Sequence, residues 1–465
     1  MQKDSPITHH VSDSMANSEP NTSKWINSVE TALLLLLVLF LPTQAALAIR
    51  RGPNATYIAW GDIVTAMAFG AWALLILLTR TRDGARRWRT VKWPPAPIWM
   101  LMFAAAVSVL NSPSIHQAFK EAEGGLKSLL GDDRVRNAIV EMAQLVLYFL
   151  VAYTLFRNLV ENRARLRLAV NFLVPLSTGV LLMGVVQYFT VPDPVKVSAT
   201  FGSQNIYSGF WAMLAPMMLA VGLLTDSMAT KVWAYAMVFV AAFTMLSGGA
   251  LLALVVVLPL VASFVRRRAG ATVLGILIAG LLISSLAGTR TYRAGIRPFV
   301  QLRDDEGDLK KQYIEWQADV NMLAERFLTG VGVGNYQLNV GSYYLHLPNK
   351  EKMPLDSNNL FLVIASSMGM TGLLAFMYLL CYHGRQARRA FQQVGDTDLR
   401  ALALGCWGGL LGFAITSIHH SLLVRGTGMV FIFLLAIIGT LSNDERQKAA
   451  IAESATREEV ECESS

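Results

Sequence analysis

The chain has 465 residues, 54% of them hydrophobic and 15% charged, whereas an average soluble protein carries roughly 25% charged residues. This excludes a water-soluble globular fold and points to an integral membrane protein. The formal charge of +8 does not call for a nucleic-acid partner, because the basic residues gather in short loops between apolar runs, where anionic membrane lipid accounts for them.

A helix needs about 20 residues to cross the hydrocarbon, and apolar runs of about that length fall at 29–49, 58–79, 97–111, 138–156, 168–189, 206–225, 232–246, 250–265, 270–288, 358–381, 401–418 and 427–441. The expected fold class is all-α: a polytopic membrane helix bundle of about 12 transmembrane helices with one large periplasmic loop. The stretch 232–265 is too long for one helix, and Ser247-Gly248-Gly249 is its one plausible turn.

Alternate loops carry about 18 basic residues against about 8 in the short loops of the other side, which places both termini in the cytoplasm. The expected organisation is a cytoplasmic tail at 1–24, helices at 25–288, a periplasmic loop at 289–357, helices at 358–441 and a cytoplasmic tail at 442–465. Cys381 and Cys406 lie in or beside spans and Cys462 in the tail, giving neither a disulfide framework nor a zinc spacing. No metal and no cofactor is expected.

Two outer segments exceed what a connection requires. Residues 112–137 place Ile115, Phe119, Ala122, Leu126 and Leu129 at spacings of three and four, as on an interfacial amphipathic helix broken at Gly124-Gly125. The long loop opens with Arg290, Arg293, Arg297 and Arg303, then places Tyr313, Trp316, Val320, Leu323 and Phe327 at helical spacing. Fixed arginines beside a bilayer suit either lipid headgroups or a lipid-linked diphosphate, whose oxygens a guanidinium grips bidentately. The glycines of "GVGVGN" lack the strand a nucleotide-binding fingerprint requires and read as a tight turn.

The next span begins with Asn358 and Asn359, which read either as helix caps or as groups that orient a hydroxyl. His346, upstream in the same loop, is a candidate general base. His419 and His420 read as marking the membrane surface or a polar helix contact.

The order of "KVSATFGSQN", "LSGGALLAL", "GVGVGNYQ" and "NNLFLVIASSMGMTGLL", set among the apolar spans, resembles the O-antigen ligase and polymerase superfamily of bacterial envelope glycosyltransferases. Its most specific element is His-Asn, nine residues, Gly, two residues, Gly, which Asn359, Gly369 and Gly372 fit in register. The resemblance implies a GT-C-like, inverting, metal-independent enzyme of the inner membrane. It would take glycan from undecaprenyl diphosphate and pass it to lipid A core or to another repeat unit, working beside other polysaccharide export and assembly proteins.

Three positions depart from the family pattern. Asn358 stands where the family has histidine, Lys196 where it has arginine before the "GTFGNPN"-like segment, and Gly248 where it has the arginine of a Ser-Arg-Gly turn. For a working enzyme, Lys196, Arg290, Arg293, Arg297 and Arg303 are expected to neutralise diphosphate, with His346, Asn358 and Asn359 at the acceptor. The alternatives are a non-catalytic member that scaffolds or binds lipid-linked glycan, and a polysaccharide transporter, against which the absence of a two-half repeat counts.

Overall fold

The computed structural model describes residues 21–43, 46–48, 57–78, 91–122, 125–192, 197–297, 308–344, 357–423 and 427–442. In chain order, helix α1 (Asn21–Phe40) leads to a short antiparallel pair, β1 (Ala46–Ala48) and β2 (Tyr57–Ala59), with Leu47 opposite Ile58. Apart from that pair the described chain is helical. Helices α2 (Trp60–Leu78), α3 (Ala96–Leu110), α4 (Pro113–Glu121), α5 (Leu126–Gly131) and α6 (Asp133–Leu159) follow. Then come α7 (Arg163–Thr190), α8 (Gln204–Leu224), α9 (Met228–Thr244), α10 (Gly248–Val265) and α11 (Arg267–Leu286). The outer segment contributes a π-turn at Tyr292–Ile296, α12 (Asp308–Glu325) and α13 (Tyr336–Tyr343). Helices α14 (Leu360–Gln393), α15 (Thr397–Thr416) and α16 (Thr427–Ser442) complete the bundle.

A helix lies on each of the twelve apolar segments. Eight described helices are long and apolar enough to cross a membrane, or nine if α3 and α4, bent by 43°, form one span; α9 and α16 are apolar but shorter. The chain is a polytopic membrane protein, and the twelve-span count goes beyond what length and composition give. The long run at 232–265 does break where glycine allows it: α9 ends at Thr244 and α10 starts at Gly248. Side-chain caps set other ends, with Asn162 accepting from the Arg165 N–H and Asp396 from those of Asp398 and Leu399.

The core centres on α16, whose residues Val430 to Ile438 are completely buried. Phe431 stacks on Phe413 of α15 at 4.1 Å between ring centroids, and Phe433 meets Phe156 of α6 edge-on at 5.1 Å. Helix α15 presses a stripe of small residues, Gly405, Gly409 and Gly412, against α8; a Cβ on Gly412 would lie 2.0 Å from the Ala212 carbonyl oxygen. Close backbone approach of this kind is how helices associate where lipid is as apolar as the side chains.

The first amphipathic segment is helical with the expected break. Gly125 has φ +71° and separates α4 from α5. Ile115 packs with Ala118, Val135 and Ala138, whereas Phe119 is exposed.

One feature of α14 positions everything that follows. The helix is interrupted at Gly369 (φ +68°), which frees the carbonyls of Ser366 and Ser367. The glycine turn of the long loop uses them: Val331 N–H donates to Ser366 O and Gly332 N–H to Ser367 O, each at 2.9 Å, while Met370 N–H returns a bond to Phe327 O at 2.8 Å. Gly330 (φ +67°) and Gly369 face each other's segments so closely that a Cβ on Gly330 would lie 2.4 Å from Ser367 backbone atoms, and one on Gly369 2.2 Å from Leu328. Both positions need glycine for conformation and for space. The "GVGVGN" turn and the Gly369 motif are therefore two halves of one backbone joint, which fixes α12 against the start of α14.

Candidate active site

Helix α12 turns its polar side inward. Gln312, Glu315 and Asp319 are buried together with Ile314, Ala318 and Met322, and Glu315 and Asp319 are 1% and 0% exposed. Of the five residues at helical spacing, Tyr313, Val320 and Phe327 are exposed, while Trp316 and Leu323 are half-buried. Helical spacing is correct but the inward face is the other one: it joins Ile314, Ala318 and Met322, packed with Val331, Tyr336 and Val340, to carboxylates and an amide that find partners on distant segments. Buried carboxylates demand such partners.

The partners come from the start of α14. Asn358 donates its backbone N–H to Glu315 Oε2 at 3.1 Å and its side-chain amide to Oε1 at 3.3 Å and Oε2 at 3.1 Å. Asp319 accepts from two hydroxyls, Tyr336 at 2.5 Å on Oδ1 and Ser357 at 2.7 Å on Oδ2. Burial and the adjacent Asp319 charge push the Tyr336 phenol far above its ordinary range, so it remains a donor. Asn359 does something different from Asn358: its Oδ1 caps α14, accepting from Phe361 N–H at 3.0 Å and Leu362 N–H at 3.1 Å.

A second set of partners comes from the segment after α15. Leu360 N–H donates to Ser417 O at 2.9 Å, which ties that segment to the start of α14. Two residues on, His419 Nδ1 lies 3.1 Å from Gln312 Oε1, and its ring stands 6.1 Å from that of Trp316. Burial holds the His419 imidazole below the usual histidine range. His420 Nε2 lies 2.7 Å from Ser247 Oγ.

Ser247 belongs to the turn between α9 and α10, and this turn is where the remaining segments meet. Gln204, at the start of α8, donates its amide to Leu246 O at 2.9 Å. A Cβ on Gly295 of the π-turn would lie 3.2 Å from the Leu246 carbonyl carbon, and one on Gly249 would lie 2.5 Å from His419 Cβ. Residues 204, 246–249, 295, 312–319, 357–359 and 419–420 thus form one connected polar neighbourhood at one end of the bundle.

The arginines divide. Arg290 is buried, and its Nη1 donates to Tyr188 O at 2.8 Å and Val191 O at 2.6 Å, closing the carbonyl end of α7, with the guanidinium 5.8 Å from the Tyr188 ring. Arg293, on the π-turn that packs on Leu246, and Arg297, just after it, are exposed. Lys196, Arg303 and His346 lie outside the described residues. A cleft of about 540 Å³ lined by Arg167, Asn171, Trp233 and Asp398 sits at the opposite end of α8 and includes none of these groups.

Residues 233–377 match the family model described as O-antigen ligase. This segment is similar to the O-antigen ligase family. The match begins in α9, crosses the Ser247 turn, the arginines, α12 and the glycine turn, and ends within α14, so most of the polar neighbourhood falls inside the matched segment. No curated protein matches the chain.

Sequence reasoning missed Gln312, Glu315 and Asp319 as site residues. Their spacing of three and four does place them on one helix face, but a search for apolar periodicity passes over a face made of polar side chains.

Proposed function

We propose that the protein transfers glycan from an undecaprenyl-diphosphate-linked donor to a saccharide hydroxyl on the outer face of the bacterial inner membrane, as a ligase or polymerase of envelope polysaccharide. In this reading both termini are cytoplasmic, and the polar neighbourhood around Glu315, Asn358 and His419 faces the periplasm. The acceptor oxygen attacks the anomeric carbon, the bond from that carbon to the diphosphate oxygen breaks, and the diphosphate leaves with the electron pair while the acceptor proton passes to a base. Such a step needs cations at the leaving group and a polar site for the acceptor. Arg293 and Arg297 suit the first role, with Lys196 and Arg303 as further candidates; Asn358, Asn359 and His346 were the sequence candidates for the second.

The observation that carries this reading is convergence. Segments separated by up to 173 positions in the chain, at Ser247 and His420, meet in one polar cluster, most of which falls inside the family-matched region. The test is transfer by the purified full-length protein in nanodiscs. It would be supplied with lipid-linked glycan extracted from cells deleted for this protein and with envelope polysaccharide from the same cells as acceptor. Elongated or transferred glycan is the expected product, and its absence while the donor remains intact overturns the proposal.

A second reading has its own support. Asn358 and Gly248 replace the two family residues expected within the described site, as in a member that holds lipid-linked glycan without turning it over. Such a protein would bind undecaprenyl diphosphate and release no product in the same assay.

A further inference from the structure

We infer that the cleft at the end of the bundle away from Ser247 and Asn358 binds one membrane phospholipid with a zwitterionic, ammonium-bearing headgroup, of the phosphatidylethanolamine class. The inference is independent of glycan transfer. In the orientation proposed above, the lipid comes from the cytoplasmic leaflet. The cleft's volume of about 540 Å³ lies within the range of small-molecule sites.

The lining is graded along the helix axes. Four helix ends meet here, the starts of α7, α9 and α15 and the end of α8. At the level of those ends the walls are polar, with Arg167, Thr225, Thr230 and Asp398. Up to two turns further into the bundle they are apolar, with Val174, Val221, Trp233 and Leu402. Arg167 and Val174 stand on one helix, about 10 Å apart at the α-helical rise. A polar mouth over an apolar floor suits an amphiphile standing along the membrane normal, and it suits neither a sugar nor a bare hydrocarbon. Trp233 is half-buried at the junction of the two zones, the depth that tryptophan favours in a bilayer. On the same turns, Leu168 of α7 and Met228 and Val232 of α9 are exposed, so hydrocarbon reaches this end of the bundle.

The charges select the headgroup. Across the mouth, Arg167 of α7 pairs with Asp396 at the start of α15 at 2.5 Å and reaches Asp398 only at 3.9 Å. The three groups carry one positive and two negative charges, so a carboxylate is left over. Neither Lys231 nor Arg400 lines the cleft, and the Arg400 guanidinium lies over the Phe391 ring at 4.8 Å. An ammonium placed on Asp398 satisfies the excess charge, while the phosphate of the same headgroup meets Arg167 and the Thr225 and Thr230 hydroxyls. A purely anionic headgroup finds Arg167 already engaged and meets Asp398 with like charge.

The test uses the full-length protein, delipidated in detergent and titrated with equal amounts of phosphatidylethanolamine and phosphatidylglycerol under native mass spectrometry. The first lipid bound should be phosphatidylethanolamine, with a preference of about threefold or more, the scale of a partly exposed ion pair. Asp398→Lys, at a side chain 74% exposed and therefore not one on which folding depends, should reverse the preference. In nanodiscs, phosphatidylethanolamine carrying a photoreactive group on its acyl chain should label the parent at 170–174, 221–225 or 229–233. Equal or stronger binding of phosphatidylglycerol by the parent, a preference that survives Asp398→Lys, or labelling confined to other segments overturns the inference. These readouts involve no glycan, so their failure leaves the transfer reading untouched, and an inactive protein leaves this one untouched.

Discussion

Asn358 meets the Glu315 carboxylate with both its backbone N–H, at 3.1 Å, and its side-chain amide, at 3.1 and 3.3 Å. An amide is suited to this place because it supplies donors without charge to a carboxylate that is almost fully buried. The residue that departs from the family's histidine is thus matched to a partner contributed by α12.

Asn358→Asp should therefore destabilise the protein in a pH-dependent way. Two carboxylates at this distance cannot both ionise, so one has its pKa raised in the folded state. A carboxyl raised on folding leaves stability intact below its unfolded pKa of about 4 and removes it as pH rises toward the folded value. Thermal unfolding in detergent from pH 4 to 8 should show the gap between Asn358→Asp and the parent widening with pH. Glu315→Leu, which orphans the Asn358 donors, should cost ~1–3 kcal/mol.

Gly330→Ala and Gly369→Ala should each be severely disruptive. Left-handed backbone costs a non-glycine residue roughly 1–2 kcal/mol, and the added Cβ would meet backbone at 2.4 and 2.2 Å. Limited proteolysis should show cleavage near 327–335 in both variants but not in Gly384→Ala, where nothing lies within 4 Å.

Arg290 and Arg297 should separate by phenotype. Arg290→Ala leaves the Tyr188 and Val191 carbonyls at the end of α7 without their donor, so it should lower the melting temperature. Arg297→Ala, at an exposed position, should leave melting unchanged and lower glycan transfer by about 100-fold, as loss of a transition-state donor does. Equal activity of Arg297→Ala and the parent would reduce that arginine to a headgroup contact.

Local signals in the sequence were informative where one residue type decides the outcome. The break at Ser247-Gly248-Gly249, the tight turn of "GVGVGN" and the cap at Asn359 each follow from chemistry within a few residues. The inward face of α12 did not. Tyr313, Val320 and Phe327 form a true helical stripe, but which side is buried was settled by Asn358, 43 positions away from Glu315, and by His419, 107 positions from Gln312. His419 and His420 read as membrane-surface markers or as a polar helix contact, and which contact they make could not be read, because their partners Gln312 and Ser247 are neighbours only after the bundle closes. Arg290 could not be told from Arg293 and Arg297 by spacing, since its role depends on where the last turn of α7 ends.

The most direct test of the central claim is a cryo-EM structure of the full-length protein in nanodiscs with undecaprenyl diphosphate. The diphosphate should lie beside Arg293 and Arg297, next to the Ser247 turn, with the Glu315, Asn358 and His419 cluster open to the phosphate-bearing end of the lipid. Diphosphate bound elsewhere, for example in the cleft at Arg167 and Trp233, with the α12 cluster closed to it, would rule out glycan transfer at the α12 cluster.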